Sequence, residues 1–302
     1  MDRRRFVGAL SAAAAAAPEP AKAARNKAGG APLLFRRDNL VAWCIVPFDA
    51  KHRGPEERAA MLAKLGLKKF VYDWRAKDIP DFDREIDALN RHSIHLQGFW
   101  TPLPPDPAKP NQLGPIYDLL SRRKLHTELW LSIGEDARFK TLAHEAKRDA
   151  VAGIVAKVAA DARTLGCKVG LYNHGGWYGE PENQIEVLQA VKATNTGIIY
   201  NFHHGHEHMA RFPELMKKML PHLLAVNING MKASAKIVPV GSGTGELAML
   251  KAVKQSGYRG PIGILGHREE LDAGEALTLN LKGLQSLLPD LGEAAALKTY
   301  QP

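Results

Sequence analysis

Short apolar runs rich in β-forming residues recur along the chain, each followed by a longer stretch whose apolar residues repeat about every 3.6 positions. The runs lie at 39–46 (NLVAWCIV), 68–73 (KKFVYD), 94–99 (IHLQGF), 126–132 (HTELWLS), 167–173 (CKVGLYN), 196–202 (TGIIYNF), 223–229 (LLAVNIN) and 261–265 (PIGIL). They read as strands. Helical spacing fills the intervals, for example Pro55 to Leu65, Phe82 to Arg91, Ala143 to Leu165 and Glu246 to Gln255, and a last helix runs from about Ala273 to Leu288. Gly66, Gly166 and Gly257 each follow a helix, where a left-handed residue is needed. Gly54-Pro55-Glu56-Glu57 starts another, with proline in the first turn and acids near the positive end of the helix dipole. Eight strand–helix units predict an α/β protein, a (β/α)8 TIM barrel in one domain. An open doubly wound sheet would carry a Gly-rich phosphate turn after its first strand, and VPFDAKHRG is not one.

With 302 residues, 45% of them hydrophobic and 24% charged, the chain has enough apolar material for such a core. Its net charge of +9 raises the question of nucleic acid. The basic residues are scattered, however, and no Lys/Arg run is interleaved with aromatics, so a small molecule is the expected partner and nucleic acid is not. Arg3-Arg4-Arg5-Phe6-Val7 precedes a small apolar stretch, Gly8 to Ala17, that ends in alanines. Residues 1–24 therefore read as an export leader of the twin-arginine type, which places the protein in the periplasm or outside the cell. The apolar stretch is far shorter than the roughly 20 residues a membrane span needs, and no membrane association is expected. Residues 25–38 read as a linker, 39–290 as the barrel and 291–302 as a C-terminal tail. Cys44 and Cys167 fall on the first and fifth strands, opposite each other in a barrel, so no bridge is expected between them.

In such barrels the chemistry gathers beyond the C-terminal strand ends. The sequence places its unusual residues there: Asp73-Trp74-Arg75, Trp100, Glu135-Asp136, Asn173-His174, Trp177-Tyr178, Glu180, Asn201, the run His203-His204-Gly205-His206-Glu207-His208, Asn227, Asn229, Lys232 and His267. Glu180 is a candidate base or a helix cap, and Glu135 is similar. Lys232 would stabilise an oxyanion or be solvated. Arg75 would clamp a substrate or pair with Asp73. Trp100 and Trp177, at strand exits, would stack on a ligand ring, whereas Trp43 and Trp130 read as core.

Val240-Gly241-Ser242-Gly243-Thr244-Gly245-Glu246, followed by Gly257-Tyr258-Arg259-Gly260-Pro261-Ile262, resembles the closing section of the xylose isomerase-like sugar phosphate isomerase/epimerase barrels. Asn173-His174-Gly175-Gly176 and Asn201 to His204 resemble that family's strand-five and strand-six ends. The resemblance implies a carbohydrate-active enzyme that removes a proton beside a sugar carbonyl, for epimerisation, isomerisation or β-elimination of a keto-glycoside. It also implies a divalent cation held by Glu, Asp, His and Glu from strands five to eight. This chain departs from that set, because Tyr172, Asn201, Asn227 and Leu265 stand at those places. His174 and His267 each lie two residues beyond a lost ligand, and His204 leaves strand six. Those three are the candidate ligands for Zn, Mn, Co or Ni, with His206 and His208 as alternatives. Without metal they would be hydrogen-bonding and acid–base groups, His204 foremost, in a sugar cleft where Asn173, Asn201 and Asn227 also bind substrate. Two other readings stay open. One is a sugar-binding barrel without catalysis. The other is a metal-dependent phosphodiesterase like endonuclease IV, whose bridging carboxylates are missing here.

Overall fold

The computed structural model describes residues 33–232 and 237–301; the leader read at 1–24 lies outside the described residues, as does the linker up to Pro32. Eight parallel strands close into a barrel: β1 (Leu40–Trp43), β2 (Lys69–Tyr72), β3 (His95–Leu103), β4 (Glu128–Ile133), β5 (Lys168–Tyr172), β6 (Thr196–Asn201), β7 (Leu223–Ile228) and β8 (Ile262–Leu265). Each strand pairs with its sequence neighbours, and Leu40 opposite Ile262 closes the ring. Eight helices cover the outside: α1 (Pro55–Lys64), α2 (Phe82–Arg91), α3 (Leu113–Arg123), α4 (His144–Thr164), α5 (Pro181–Val191), α6 (Phe212–Met219), α7 (Glu246–Gln255) and α8 (Ala273–Leu287). Gly66, Gly166 and Gly257 have φ of 66°, 68° and 83°, so each ends its helix in the left-handed conformation that a Cβ disfavours. After β7, Gly230–Met231 and Ile237–Val238 form a short antiparallel ladder.

Alternation along the strands divides the apolar side chains into two layers. Val41, Trp43, Val71, Trp130, Tyr172, Ile199, Ala225 and Leu265 fill the barrel, while a larger shell packs between strands and helices. Trp43 and Trp130 meet edge to face at 5.0 Å and plug the middle. Strand β3 runs to Leu103, past the expected end at Phe99, because Trp100 to Leu103 stay in register with Trp130 to Ile133. Trp100 is therefore a strand residue and not a loop residue. Both cysteines are free and buried. Among the described residues no helix is long and apolar enough to cross a membrane.

The base of the barrel corrects two expectations. Leu34 and Phe35, expected in a linker, are 2% and 0% exposed, and their N–H groups donate to the two carboxylate oxygens of Glu293. The Tyr300 hydroxyl donates to the Phe35 carbonyl at 2.6 Å. The residues just before β1 and the expected tail thus fold together under the barrel, because each supplies what the other would leave unpaired.

Candidate active site

The exits of β5, β6 and β8 bring four imidazoles into one group. His174 follows β5, His203 and His204 open a 3-10 segment (Phe202–Arg211) after β6, and His267 follows β8. Ring centres are 4.6 Å apart for His174–His204, 4.4 Å for His203–His204 and 5.0 Å for His203–His267. Burial pulls the pKa of His204 down to about 2, helped by the three neighbouring rings and His206. Burial, then His267, His206 and His174, brings His203 to about 4; burial, then His174 and Arg75, brings His267 to about 4; His174 is lowered by burial and then by Arg75. All four are neutral at pH 7. Their N–H groups are hydrogen-bond donors to a ligand, and the rings are weak proton acceptors. His267 stacks on Phe48 at 3.9 Å and has φ of 36°, while Cys44, whose carbonyl accepts from its N–H, has φ of 54°. Left-handed backbone at two non-glycine residues of one rim is strain of the kind that gathers at functional sites.

Beneath the histidines lies a buried polar layer. The Asn201 side-chain amide donates to the Tyr172 hydroxyl at 2.5 Å, and its oxygen accepts from the His203 N–H at 3.1 Å. Asn227 is fully buried, with neither side-chain atom paired among the described residues. Tyr172, Asn201, Asn227 and Leu265 carry no carboxylate, and the Tyr172 hydroxyl and Asn201 amide are engaged with each other. Across the barrel, the Asp73 carboxyl is 1% exposed and accepts from the Val46 N–H at 3.2 Å. On the same side the Arg75 guanidinium lies 4.7 Å from the centre of the Trp100 ring, which stands 6.2 Å from His174. Arg75 donates to the carbonyls of Asp73 and Trp74, so it does not pair with the Asp73 carboxylate. A cleft of about 340 Å³ opens beside the group, lined by Gly175, Glu180, His203, His204, His206 and His208 among others.

Several candidate residues are engaged elsewhere. Asn173 is fully buried; its amide donates to the Asn201 carbonyl and its oxygen accepts from the Asn201 N–H. It ties β5 to β6 and is sealed from the cleft by burial. Glu135 accepts from the N–H groups of Trp177 and Tyr178 and so caps the short helix Gly176–Gly179. The Trp177 indole donates to His144 at 3.2 Å and packs edge-on against Phe139, so its ring partners lie outside the histidine group. Glu180 borders the cleft but is held by Arg211 at 2.7 Å and His208 at 3.3 Å. His208 also meets the Tyr200 hydroxyl at 3.1 Å, and the His206 ring meets the His203 carbonyl at 2.8 Å. Lys232 is exposed.

The Gly-rich turn before α7 offers N–H groups of the kind that bind phosphate. Here they serve the protein's own carboxylate: Glu246, 2% exposed, accepts from Gly241, Gly243 and Met231. Likewise Asp136 caps the short helix Ala137–Thr141, and Asp49 and Asp272 cap α8.

A transition ion would find suitable chemistry in neutral imidazoles. Their placement is less complete: among the described residues no three His, Cys, Asp or Glu side chains are arranged to hold an ion. A metal would need the rings of His174, His204 and His267 to turn together.

No protein-family model and no curated protein matches the chain by sequence. Its fold has clear counterparts among solved structures. An IolI protein with a bound zinc atom superposes with a TM-score of 0.64 at 15% identity, over 83% of this chain and 98% of its own. A 3-keto-D-glucoside 4-epimerase from E. coli gives 0.64 at 13% identity, over 82% and 99%. A xylose isomerase-like TIM barrel protein from Mycobacterium smegmatis, in complex with magnesium, gives 0.57 at 13% identity, over 85% and 98%. The chain is a (β/α)8 barrel with the xylose isomerase-like fold.

Proposed function

We propose that the chain is a carbohydrate-modifying enzyme that removes a proton from the carbon beside a sugar carbonyl, giving epimerisation or β-elimination of a keto-glycoside. The observation that supports this is the packed group of four neutral imidazoles at the barrel mouth. A neutral imidazole N–H aimed at a carbonyl oxygen stabilises the enolate as charge develops there, and pre-placed donors of this kind are worth about 10² to 10³ in rate each. His204, at the centre of the group, is the donor of choice, with His174 beside it. Trp100 offers an apolar wall to the C–H face of a sugar ring. The substrate is an unphosphorylated sugar, because the N–H groups suited to phosphate already bind Glu246. The E. coli neighbour acts, by its name, on a 3-keto-glucoside.

A metal-assisted version is the second reading, favoured by the neutrality of the rings and by neighbours that carry zinc and magnesium. His174, His204 and His267 would hold the ion, which would supply Lewis-acid polarisation of the same carbonyl. Export by the twin-arginine leader belongs to the proposal as well. Its check is whether Arg4→Lys plus Arg5→Lys keeps the protein in the cytoplasm.

The test is a mass-spectrometric screen of keto-sugars and their glycosides, with metal analysis of the purified protein. Loss of the glycosidic group marks elimination, and a new isomer of unchanged mass marks epimerisation. Binding without conversion across the panel would leave a sugar-binding barrel and overturn the enzyme reading.

A further inference from the structure

Neutral imidazoles polarise a carbonyl but leave open which group takes the proton. The acidic side chains at the strand exits narrow the choice. Glu135 is bound by two N–H groups, Glu246 by three, Glu180 by Arg211 and His208, and Asp49 and Asp272 by Arg53 and the α8 N-terminus. Glu207 and Glu269 are exposed. Asp73 differs from all of these. It follows β2 in phase with Val71, which faces the barrel interior, and it is 1% exposed. One carboxyl oxygen accepts from Val46, and the other has no partner among the described residues. A buried oxygen left unpaired carries an uncompensated desolvation cost, so its persistence asks for an explanation beyond folding.

β2 and β6 are four places apart in the closed ring of eight, so Asp73 follows the strand opposite the one that carries His203 and His204. We infer that Asp73 is the base that exchanges the proton with the sugar, across the mouth from the imidazoles that hold the carbonyl oxygen. This rests on the proton-abstraction reading above. In the step, the C–H bond beside the carbonyl breaks and its proton passes to the free oxygen of the Asp73 carboxylate. The electron pair forms the enolate double bond, and the carbonyl oxygen takes the negative charge opposite the His204 and His174 N–H groups. Return of the proton to carbon regenerates a keto-sugar. In elimination the enolate instead expels the β-oxygen, which takes its proton from the Asp73 carboxylic acid.

The surroundings suit the role. Burial pushes the Asp73 carboxyl up to about 7, with Arg75, the Val46 N–H and Arg58 working against it. The groups around it from the other walls are Cys44, just beyond β1, and Tyr172 of β5, and burial holds both neutral at pH 7. A carboxyl that titrates near the working pH is matched to proton exchange.

The test uses the full protein, with a 3-keto-glucoside in deuterated water as the probe. Asp73→Asn keeps an acceptor for the Val46 N–H, so a merely structural role would survive it. The expected result is a loss of at least about 100-fold in deuterium uptake, the usual scale of general-base catalysis. The wild-type rate should show a limb near pH 7. That limb should vanish in Asp73→Asn and move to higher pH in Arg75→Met, which removes a charge that lowers the carboxyl's pKa. As a readout without substrate, the melting temperature of Asp73→Asn should gain on wild type as pH rises from 4 to 7, since over that range the unfolded carboxyl is ionised while burial keeps the folded one protonated. Uptake and a pH limb retained in Asp73→Asn would overturn the assignment and leave the proton-abstraction reading standing. A flat melting comparison would also overturn it. A folded wild type that never exchanges would overturn both.

Discussion

Asn173 and His174 are adjacent, yet they do unrelated work: one clamps β5 to β6 and the other joins the imidazoles at the mouth. Phase along the strand decides which, and this is where the sequence is hardest to read. The sequence showed that histidines crowd the strand exits but not which of them meet: His203 joins His174, His204 and His267, whereas His206 turns to the His203 carbonyl and His208 to Tyr200 and Glu180. Asn173, Glu135 and Trp177 carry chemistry that suits a sugar site, but their partners are backbone groups and side chains brought close only by folding. Trp177→Ala is therefore expected to lower stability by about 2 kcal/mol, less than a fully buried tryptophan would. KM for a keto-sugar should stay within about twofold, and a large KM effect at unchanged stability would return Trp177 to the substrate wall. Glu246→Gln should cost roughly 2–4 kcal/mol in denaturant unfolding, because an amide oxygen replaces a carboxylate that accepts three N–H bonds. A cost under about 0.5 kcal/mol would show that the turn does not depend on that carboxylate.

At the scale of elements, the strands and helices follow the apolar runs and their glycine stops closely. The long β3 was not legible, since Pro102 would ordinarily mark the end of a strand and here lies opposite Ser132. The base of the barrel was hidden for another reason: Leu34 and Phe35 are too few to show periodicity, and their partner Glu293 is 258 residues from Phe35. Phe35→Ala should cost about 3–5 kcal/mol, the usual loss for a buried aromatic. A chain trimmed to begin at Asn39 should melt well below one that begins at Leu33. Equal melting temperatures would reduce this segment to a surface strap. The 3-10 segment after β6 is likewise held from beneath by the Tyr200–His208–Glu180–Arg211 chain. Glu180→Gln is expected to speed amide exchange over 202–211 more than it slows catalysis. The reverse result would favour Glu180 itself as a base.

For the whole molecule, pH separates the two walls of the mouth. An unfolded histidine titrates near about 6.5, whereas His203 and His267 are brought to about 4 in the fold. Their contribution to stability is therefore complete above about 6.5 and is lost as pH falls through 4. Asp73 acts with the opposite sign, its neutral form being favoured at low pH. The informative quantity is the difference between variants: a His203→Asn, His267→Asn pair should lose less melting temperature than wild type between pH 6.5 and pH 4. Parallel curves would mean that these rings accept protons freely in the fold. The account's central claim is that the mouth ionises a C–H bond beside a sugar carbonyl, and deuterium uptake from heavy water into a 3-keto-glucoside tests it most directly. The account predicts one deuteron at the carbon beside the carbonyl with wild type, and uptake reduced at least about 100-fold when His174 and His204 are both changed to asparagine. Undiminished uptake in that folded double variant, or none in folded wild type across the keto-sugar panel, would contradict it.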